Sequence, residues 1–198
     1  SCKNDGKLTN FHKYHYTSRA LGDVGLIIVE ASAIEPKGRI SSHDVGFWDD
    51  EHIALHKELV QECHLYGAKM AIQIAHAGRK SEVEDSTPIS CSSLAFSDKK
   101  PFKTPLTASL EDIKNIKKLF LDAAIRAKKA NYDAVELHAA HGYLLCQFLS
   151  NLTNKRDDEY GGSLENRCKI VLEIAKEIKK EVDLPLLVRI SASEWMKD

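Results

Sequence analysis

The stretch "VELHAAHGYL" at residues 135–144 predicts a β-strand that ends in polar side chains. Val135 and Leu137 alternate with Glu136 and His138, and successive residues of a strand point to opposite faces. One face of this strand is therefore aliphatic, whereas the other carries a carboxylate and an imidazole. A second histidine, a glycine and a tyrosine follow directly, so titratable groups collect where the strand ends.

Four apolar runs, rich in β-branched residues and leucine, predict the strands of one sheet. They lie at residues 24–32, 69–78, 132–142 and 184–193. Each run precedes or follows a helical pattern, and this alternation is typical of a parallel α/β sheet. No low-complexity linker interrupts the chain, so we predict a single domain over residues 1–198.

Capping residues set the limits of the predicted helices, because Ser, Thr and Asp favour helix starts and glycine favours helix ends. A short helix over residues 11–21 lies between Thr9 and Gly22. Three longer helices begin near Asp49 or Asp50, at Ser109 and at Ser163, and the first of them ends at Gly67.

Residues 81–108 form a long segment rich in Ser, Thr and Pro that follows the second predicted strand. In a barrel or an open α/β fold, such a segment is expected to be an excursion over the active face. The simpler alternative is a plain surface loop.

The composition narrows the kinds of molecule that the protein is expected to bind. The 28 basic and 29 acidic residues give a net charge of -1, which argues against strong non-specific attraction to nucleic acid or anionic lipid. No run approaches the roughly 18 apolar residues of a membrane span. The five cysteines form no CxxC pair, which favours a reducing compartment. We therefore expect a cytoplasmic protein that binds small molecules or other protein surfaces.

One large polar side chain comes late in each of three predicted strands, on the face opposite the aliphatic one. These side chains are Gln73, His138 and Arg189. In parallel α/β folds ligands bind at the carboxyl ends of the strands, so three such residues together favour a binding site. Each also has a structural alternative: Gln73 can bond to backbone, His138 can be a satisfied core residue, and Arg189 can pair with Glu136.

The loops after the second and third strands extend this polar region. "HAGRK" supplies His76, Arg79 and Lys80, and "HGY" supplies His141 and Tyr143. Imidazole and cationic donors at a strand end suit an anionic or carbonyl-bearing ligand.

The motifs leave open how such a ligand would react. A strand-to-loop HxxH is weak evidence for a metal, and GxGxxG, GxxxxGK[ST] and GxSxG motifs are absent. The residues therefore predict a site of neutral and cationic donors, with a tyrosine as proton donor and redox chemistry from a cofactor. Two alternatives remain: a metal-dependent barrel hydrolase using His76, His138 and His141, and a non-catalytic module that associates through exposed sheet edges.

Four longer stretches carry a recognisable pattern: "DGKLTNFHKYHYTSRALGDVGLIIVEASAIEPKGRI", "IQIAHAGRKSE", "ELHAAHGYLLCQFLSNLTNKRDDEYGGSLENR" and "LLVRISASEW". In them the sequence resembles the Old Yellow Enzyme family of FMN-dependent ene-reductases, in particular its bacterial NADPH dehydrogenase branch. The resemblance implies a (β/α)8 TIM barrel with FMN in its mouth. It also implies that NADPH or NADH reduces the flavin, which then reduces the C=C bond of an activated alkene.

The resemblance also implies roles for individual residues. Gln73 and Arg189 would bond to the flavin ring, and Ala31 would lie against it. His138 and His141 would hold the carbonyl or phenolate oxygen of the ligand, Tyr143 would donate a proton to the α-carbon, and Arg79 and Lys80 would line the same rim. Within "NKRDDEYGGSLENR", we expect Arg156, Asp158 and Arg167 to make local ion pairs.

By comparison with the family, the chain covers only about strands 2 to 5 of the barrel. A flavin-tuning cysteine, which is not Cys2, a substrate-side tyrosine and the phosphate-binding loops would then lie outside residues 1–198. We therefore expect the chain alone to bind FMN poorly and to be inactive. The complete protein is expected to be a homo-oligomer, as many family members are.

Overall fold

A computed structural model describes residues 2–196 as an α/β structure built around one parallel sheet. The helices and strands are, in chain order, α1 (Asn10–Leu21), β1 (Leu26–Ala33), β2 (Val45–Gly46), α2 (Ile53–His64), β3 (Lys69–Ala75), β4 (Ile89–Ser90), β5 (Leu106–Thr107), α3 (Leu110–Lys129), β6 (Ala134–Ala139), α4 (Leu144–Leu149), α5 (Leu164–Glu181) and β7 (Leu186–Ile190). All four strands and all four helices predicted from the sequence are present.

The main sheet has the strand order β2-β1-β3-β6-β7, and every neighbouring pair is parallel. Consecutive long strands are therefore adjacent, with helices connecting them, as in a barrel. The register places Gln73 beside Glu136 and His138 beside Arg189. The polar residues predicted from strand parity thus lie side by side on one face.

The opposite face packs against the helices, as the alternation predicts. Ile72, Ile74, Val135 and Leu137 are wholly buried there. Long helix α3 covers part of this face with six buried residues, namely Ile113, Ile116, Phe120, Ala123, Ala124 and Ala127. Its start is fixed by a capping box, because Ser109 accepts the Asp112 N–H and the Asp112 carboxylate accepts the Ser109 N–H.

Four short elements were not predicted, and one of them is β2, which pairs with the end of β1. Strands β4 and β5 pair with each other inside the 81–108 excursion, so this segment is not a plain loop. Helix α4 follows Tyr143 directly and has five buried residues, namely Leu144, Leu145, Cys146, Gln147 and Phe148. It anchors the loop that carries the "HGY" residues.

The turn between α4 and α5 corrects one prediction. Arg156 and Asp158 form the expected ion pair, and Arg156 also donates to the carbonyls of Cys91 and Ala108, which ties this turn to the excursion. Arg167 forms no ion pair within residues 2–196; it donates instead to the carbonyls of Leu149 and Gly162. Leu149 is the last residue of α4, and the last carbonyls of a helix lack a partner within it, so the Leu149 carbonyl is free to accept from Arg167.

Buried His56 is expected to make the folded state sensitive to acid. It packs against Phe47, its Nδ1 lies 2.7 Å from the Tyr132 hydroxyl, and burial lowers its pKa to about 3. The unfolded chain takes up this proton near pH 6.5. Stability from the neutral imidazole is therefore complete above pH 6.5 and is lost as pH falls towards 3, by up to about 1.4 kcal/mol per pH unit.

The measurement compares the complete protein with a His56→Gln variant, whose amide can still bond to Tyr132. Unfolding is followed by circular dichroism at several pH values between 7 and 4. The stability advantage of the wild type should shrink steadily as the pH falls. A constant difference between the two proteins would show that His56 does not control this sensitivity.

Candidate active site

The candidate site lies at the carboxyl ends of β3, β6 and β7, where three aromatic rings meet. The His138 ring centroid lies 5.1 Å from that of His141 and 5.0 Å from that of Tyr143, and both contacts are edge-on. His138 is buried, whereas Tyr143 is half-buried and His141 is exposed. The three residues predicted as catalytic therefore form one cluster that solvent reaches from the His141 side.

His138 is a neutral imidazole at physiological pH. Burial lowers its pKa to about 4, and the nearby His141, Arg189 and Lys80 act in the same direction. Its Nδ1 lies 3.4 Å from the backbone N–H of Ala140, so we assign Nδ1 as the acceptor. The remaining ring proton then belongs to Nε2, which is available to donate to a ligand.

The loop that presents His141 has an unusual backbone. His141 and Gly142 have φ angles of 58° and 72°, both in the left-handed region that residues other than glycine seldom adopt. The His141 N–H donates to the Ser191 hydroxyl at 2.9 Å, and its carbonyl accepts from Lys80 Nζ at 3.2 Å. Contacts from the ends of β3 and β7 thus hold the loop in this conformation.

Lys80 lies between two aromatic rings. Its ammonium is 4.7 Å from the Tyr143 ring centroid and 4.8 Å from that of Phe96, which belongs to the 81–108 excursion. Burial lowers the pKa of Lys80, while burial raises the pKa of Tyr143. Tyr143 therefore keeps its phenolic proton at neutral pH.

Arg79 turns towards the excursion. Its guanidinium donates to the carbonyls of Leu94 and Ala95, at 3.3 and 3.2 Å, and lies 5.7 Å from the Phe96 ring centroid. These contacts bring Phe96 against the rim next to Lys80.

Gln73 and Arg189 meet on the carboxylate of Glu136. Gln73 donates from Nε2 to Glu136 Oε1, and Arg189 donates from Nε and a terminal nitrogen at 2.9 and 3.2 Å. Glu136 is buried, and its carboxylate links β6, on which it lies, to Gln73 on β3 and Arg189 on β7. The internal pairing considered for Arg189 from the sequence is therefore present.

Gln73 and Arg189 nevertheless keep hydrogen-bonding groups that Glu136 does not use and that a flavin ring could bond to. Arg189 has five N–H donors, of which Glu136 takes two, and nearly half of its side chain is exposed. The Gln73 amide keeps one N–H and its oxygen, which suits the alternating donors and acceptors of the flavin pyrimidine edge. Ala31 is half-buried and lies where the register between β1 and β3 shifts, between Val29 and Ser32.

His76 has a different position from the other histidines. It is buried, its Nε2 lies 2.7 Å from Glu35, and its Nδ1 accepts the Gly78 N–H. It therefore braces the loop after β3 instead of joining His138 and His141. Within residues 2–196 the structure places no three His, Cys, Asp or Glu side chains close enough to hold a metal ion.

Sequence reasoning missed two polar residues of this region. Glu136 was noted only as a partner for Arg189, yet it also accepts from Gln73. Gln147 was not singled out, although it is the one amide in the apolar run "LLCQFL" of α4. A buried amide must find hydrogen-bond partners, and this was the available signal.

The sequence matches the family described as NADH:flavin oxidoreductase / NADH oxidase over residues 1–198. The chain belongs to this family. It is 51% identical over 195 residues to an NADPH dehydrogenase of Bacillus subtilis (strain 168), which covers 98% of this chain and 57% of that protein. It is 53% identical to an NADPH dehydrogenase of Halalkalibacterium halodurans, with 98% of this chain and 56% of that protein covered.

A solved structure of morphinone reductase in complex with tetrahydroNAD has the same fold. Its TM-score is 0.86 at 34% identity, over 95% of this chain and 56% of that one. The family is one of flavin oxidoreductases, with FMN and a nicotinamide as cofactors. The predicted Old Yellow Enzyme resemblance and barrel-type fold are confirmed, and an oxidoreductase family gives no support to the hydrolase alternative.

The chain spans somewhat more than half the length of the NADPH dehydrogenases it matches. In the part of the chain that the structure describes, no helix is both long enough and apolar enough to cross a membrane.

Proposed function

We propose that the complete protein containing this chain reduces the C=C bond of activated alkenes such as enones and enals, with FMN as cofactor and NADPH or NADH as reductant. The observation that carries the proposal is the cluster of His141, neutral His138 and protonated Tyr143 at the strand ends, in a chain of a flavin oxidoreductase family. Such donors suit a substrate that becomes an enolate and then needs a proton.

The flavin would be held by Gln73 and Arg189 on its ring, with Ala31 against it. When bound, FMN would supply the hydride that the β-carbon of the alkene receives. The pairing with Glu136 fixes the directions of Gln73 and Arg189 before any ligand arrives. Donors held in place in this way lose little conformational freedom on binding.

His138 and His141 would hold the carbonyl oxygen of the substrate. Because the two rings lie edge-on at 5.1 Å, ring nitrogens of both can approach one oxygen atom. Imidazole N–H groups stabilise negative charge on that oxygen more strongly as the charge develops. Lys80, held beside them, would add a positive charge to the rim, and Arg79 would complete it.

Tyr143 would protonate the α-carbon. Its ring is edge-on to His138 at 5.0 Å, so the phenol belongs to the same cluster as the imidazole that would hold the substrate oxygen. Its raised pKa keeps the proton available through the neutral range.

The same proposal covers the domain organisation, the oligomeric state and the cellular compartment. The chain is one partial barrel domain whose 81–108 excursion covers the active face, which the contacts of Phe96 with Arg79 and Lys80 support. The complete protein is a homo-oligomer. It works in the cytoplasm, in keeping with five free cysteines.

The deciding experiment is the absorption spectrum of the purified full-length protein, followed by addition of NADPH and then of an enone. We expect flavin absorption that NADPH bleaches and the enone restores, with the saturated ketone as product. A colourless protein with stoichiometric metal would favour the hydrolase alternative. A colourless, metal-free protein that self-associates would favour the association module.

A further inference from the structure

Gln147 lies on α4, behind the candidate site, and every hydrogen-bonding position of its side chain is used. Its Nε2 donates to the carbonyls of Gly142 at 2.7 Å and Ala77 at 3.2 Å. Its Oε1 accepts from the Ser90 hydroxyl at 2.8 Å and from the Arg79 N–H at 3.2 Å. A primary amide has two donors and two acceptor positions, so this side chain is fully satisfied.

These four partners come from three separate segments that surround the site. Ala77 and Arg79 belong to the loop after β3, Gly142 belongs to the loop after β6, and Ser90 belongs to the 81–108 excursion. Gln147 is almost completely buried, so water cannot replace these bonds. The amide therefore joins the two loops that carry the candidate catalytic residues to the segment that covers them.

The loop after β3 approaches this amide too closely for any residue but glycine. A Cβ atom at Gly78 would lie 2.2 Å from Gln147 Oε1, and Gly78 has a φ of 61°. The glycine of "HAGRK" thus leaves the space that the amide of "LLCQFL" occupies. This contact fixes the distance between the loop and α4.

The Gly142 bond bears directly on the site, because Gly142 separates His141 from Tyr143. His141 lies in the left-handed region although it is not a glycine, and such a conformation persists only where its surroundings hold it. The bond to Gly142 comes from the helix on which Tyr143 is the N-cap. A change at Gln147 therefore releases the loop between the two side chains without touching either.

We propose that Gln147 is a positioning residue that holds the loops of His141, Tyr143 and Lys80 in register and couples the 81–108 excursion to them. The proposal rests on the proposed function for the identity of the ligand. It concerns alignment of the donors: Gln147 contacts neither substrate nor flavin.

The test uses a Gln147→Met variant of the full-length protein, which keeps a long side chain but loses all four bonds. We expect the dissociation constant of a phenol ligand, followed by its absorption change on the bound flavin, to rise about tenfold, and enone kcat/KM to fall by a similar factor. Reduction of the flavin by NADPH in the absence of enone should change less than the step that follows, because flavin contacts are untouched.

Asn154 offers a matched control. It is buried and donates to the carbonyls of Phe148 and Tyr160, near the other end of α4 and away from both loops. Asn154→Leu should lower the melting temperature as Gln147→Met does, yet leave phenol affinity unchanged. Equal loss of phenol affinity in both variants, or none in Gln147→Met, would overturn the proposal.

A second variant covers the case in which Gln147→Met does not fold. Gln147→Glu keeps the shape and the two acceptor bonds but loses at least one of the donor bonds to Gly142 and Ala77, so phenol affinity should fall below that of the wild type. In that case an unchanged affinity in Gln147→Glu would overturn the proposal. The wild-type spectrum and enone turnover test the proposed function separately, so failure of one proposal is distinguishable from failure of the other.

Discussion

Replacing both His138 and His141 by alanine in the complete protein is expected to lower enone turnover by about 100-fold or more, since removal of a single oxyanion donor often has that effect. The two rings lie edge-on with their centroids 5.1 Å apart, and under the proposed function both would donate to one substrate oxygen. Affinity for phenol ligands should fall by about tenfold, because the phenolate oxygen loses charge-assisted hydrogen bonds. The measurements are steady-state reduction of an enone and titration of the bound flavin with a phenol.

A suitable control is His64→Ala. His64 is the last residue of α2 and pairs with Asp133, at the amino-terminal side of β6 and away from the cluster. Flavin content, enone turnover and phenol affinity should all remain at wild-type levels in that variant. The assignment of the two histidines would be wrong if their double variant kept both turnover and phenol affinity.

Strand parity was sufficient to predict which side chains share the inner face of the sheet. It placed His138 and Gln73 opposite the aliphatic residues, and the structure shows Ile72, Ile74, Val135 and Leu137 buried under the helices. The period of two is a local property of the chain, so the sequence alone carries it. Helix starts were predictable for the same reason, as at Ser109, whereas α2 ends at His64, three residues before the predicted end at Gly67.

The contacts between strands were harder to predict from the sequence. Gln73 and Glu136 are 63 residues apart, and they meet because β3 and β6 pair in one register. A shift of two residues would keep every side chain on the same face yet place Gln73 beside His138, so alternation alone does not fix which residues lie opposite each other. The sequence therefore offered Glu136 as one possible partner for Arg189 but not as the shared acceptor of both donors.

Short elements escaped prediction for a different reason. Strands β4 and β5 have two residues each, too few for alternation to appear, and the bonds that hold the excursion come from distant Arg156 and Gln147. Likewise, His76 looked equivalent to His138 and His141 in the sequence. Its partner Glu35 lies 41 residues away, so only the fold distinguishes a bracing histidine from one in the site.

Tyr143→Phe is expected to lower the rate of enone reduction by about 100-fold, a typical contribution of a positioned general acid. The substitution removes only the hydroxyl, so the ring contacts with His138 and Lys80 remain, and phenol affinity and flavin reduction by NADPH should change little. Stopped-flow measurement of flavin reoxidation by an enone isolates the affected step. Tyr14→Phe, an exposed tyrosine on α1, is the control and should be neutral.

The raised pKa of Tyr143 sets the pH range over which it can act as a proton donor. Burial raises the pKa of Tyr143, so its proton remains in place beyond the ordinary tyrosine range near 10. The reoxidation rate of the wild type should therefore show no loss from Tyr143 ionisation up to about pH 10. If Tyr143→Phe reoxidises at the wild-type rate, the α-carbon takes its proton from another group or from water, and the role assigned to Tyr143 is wrong.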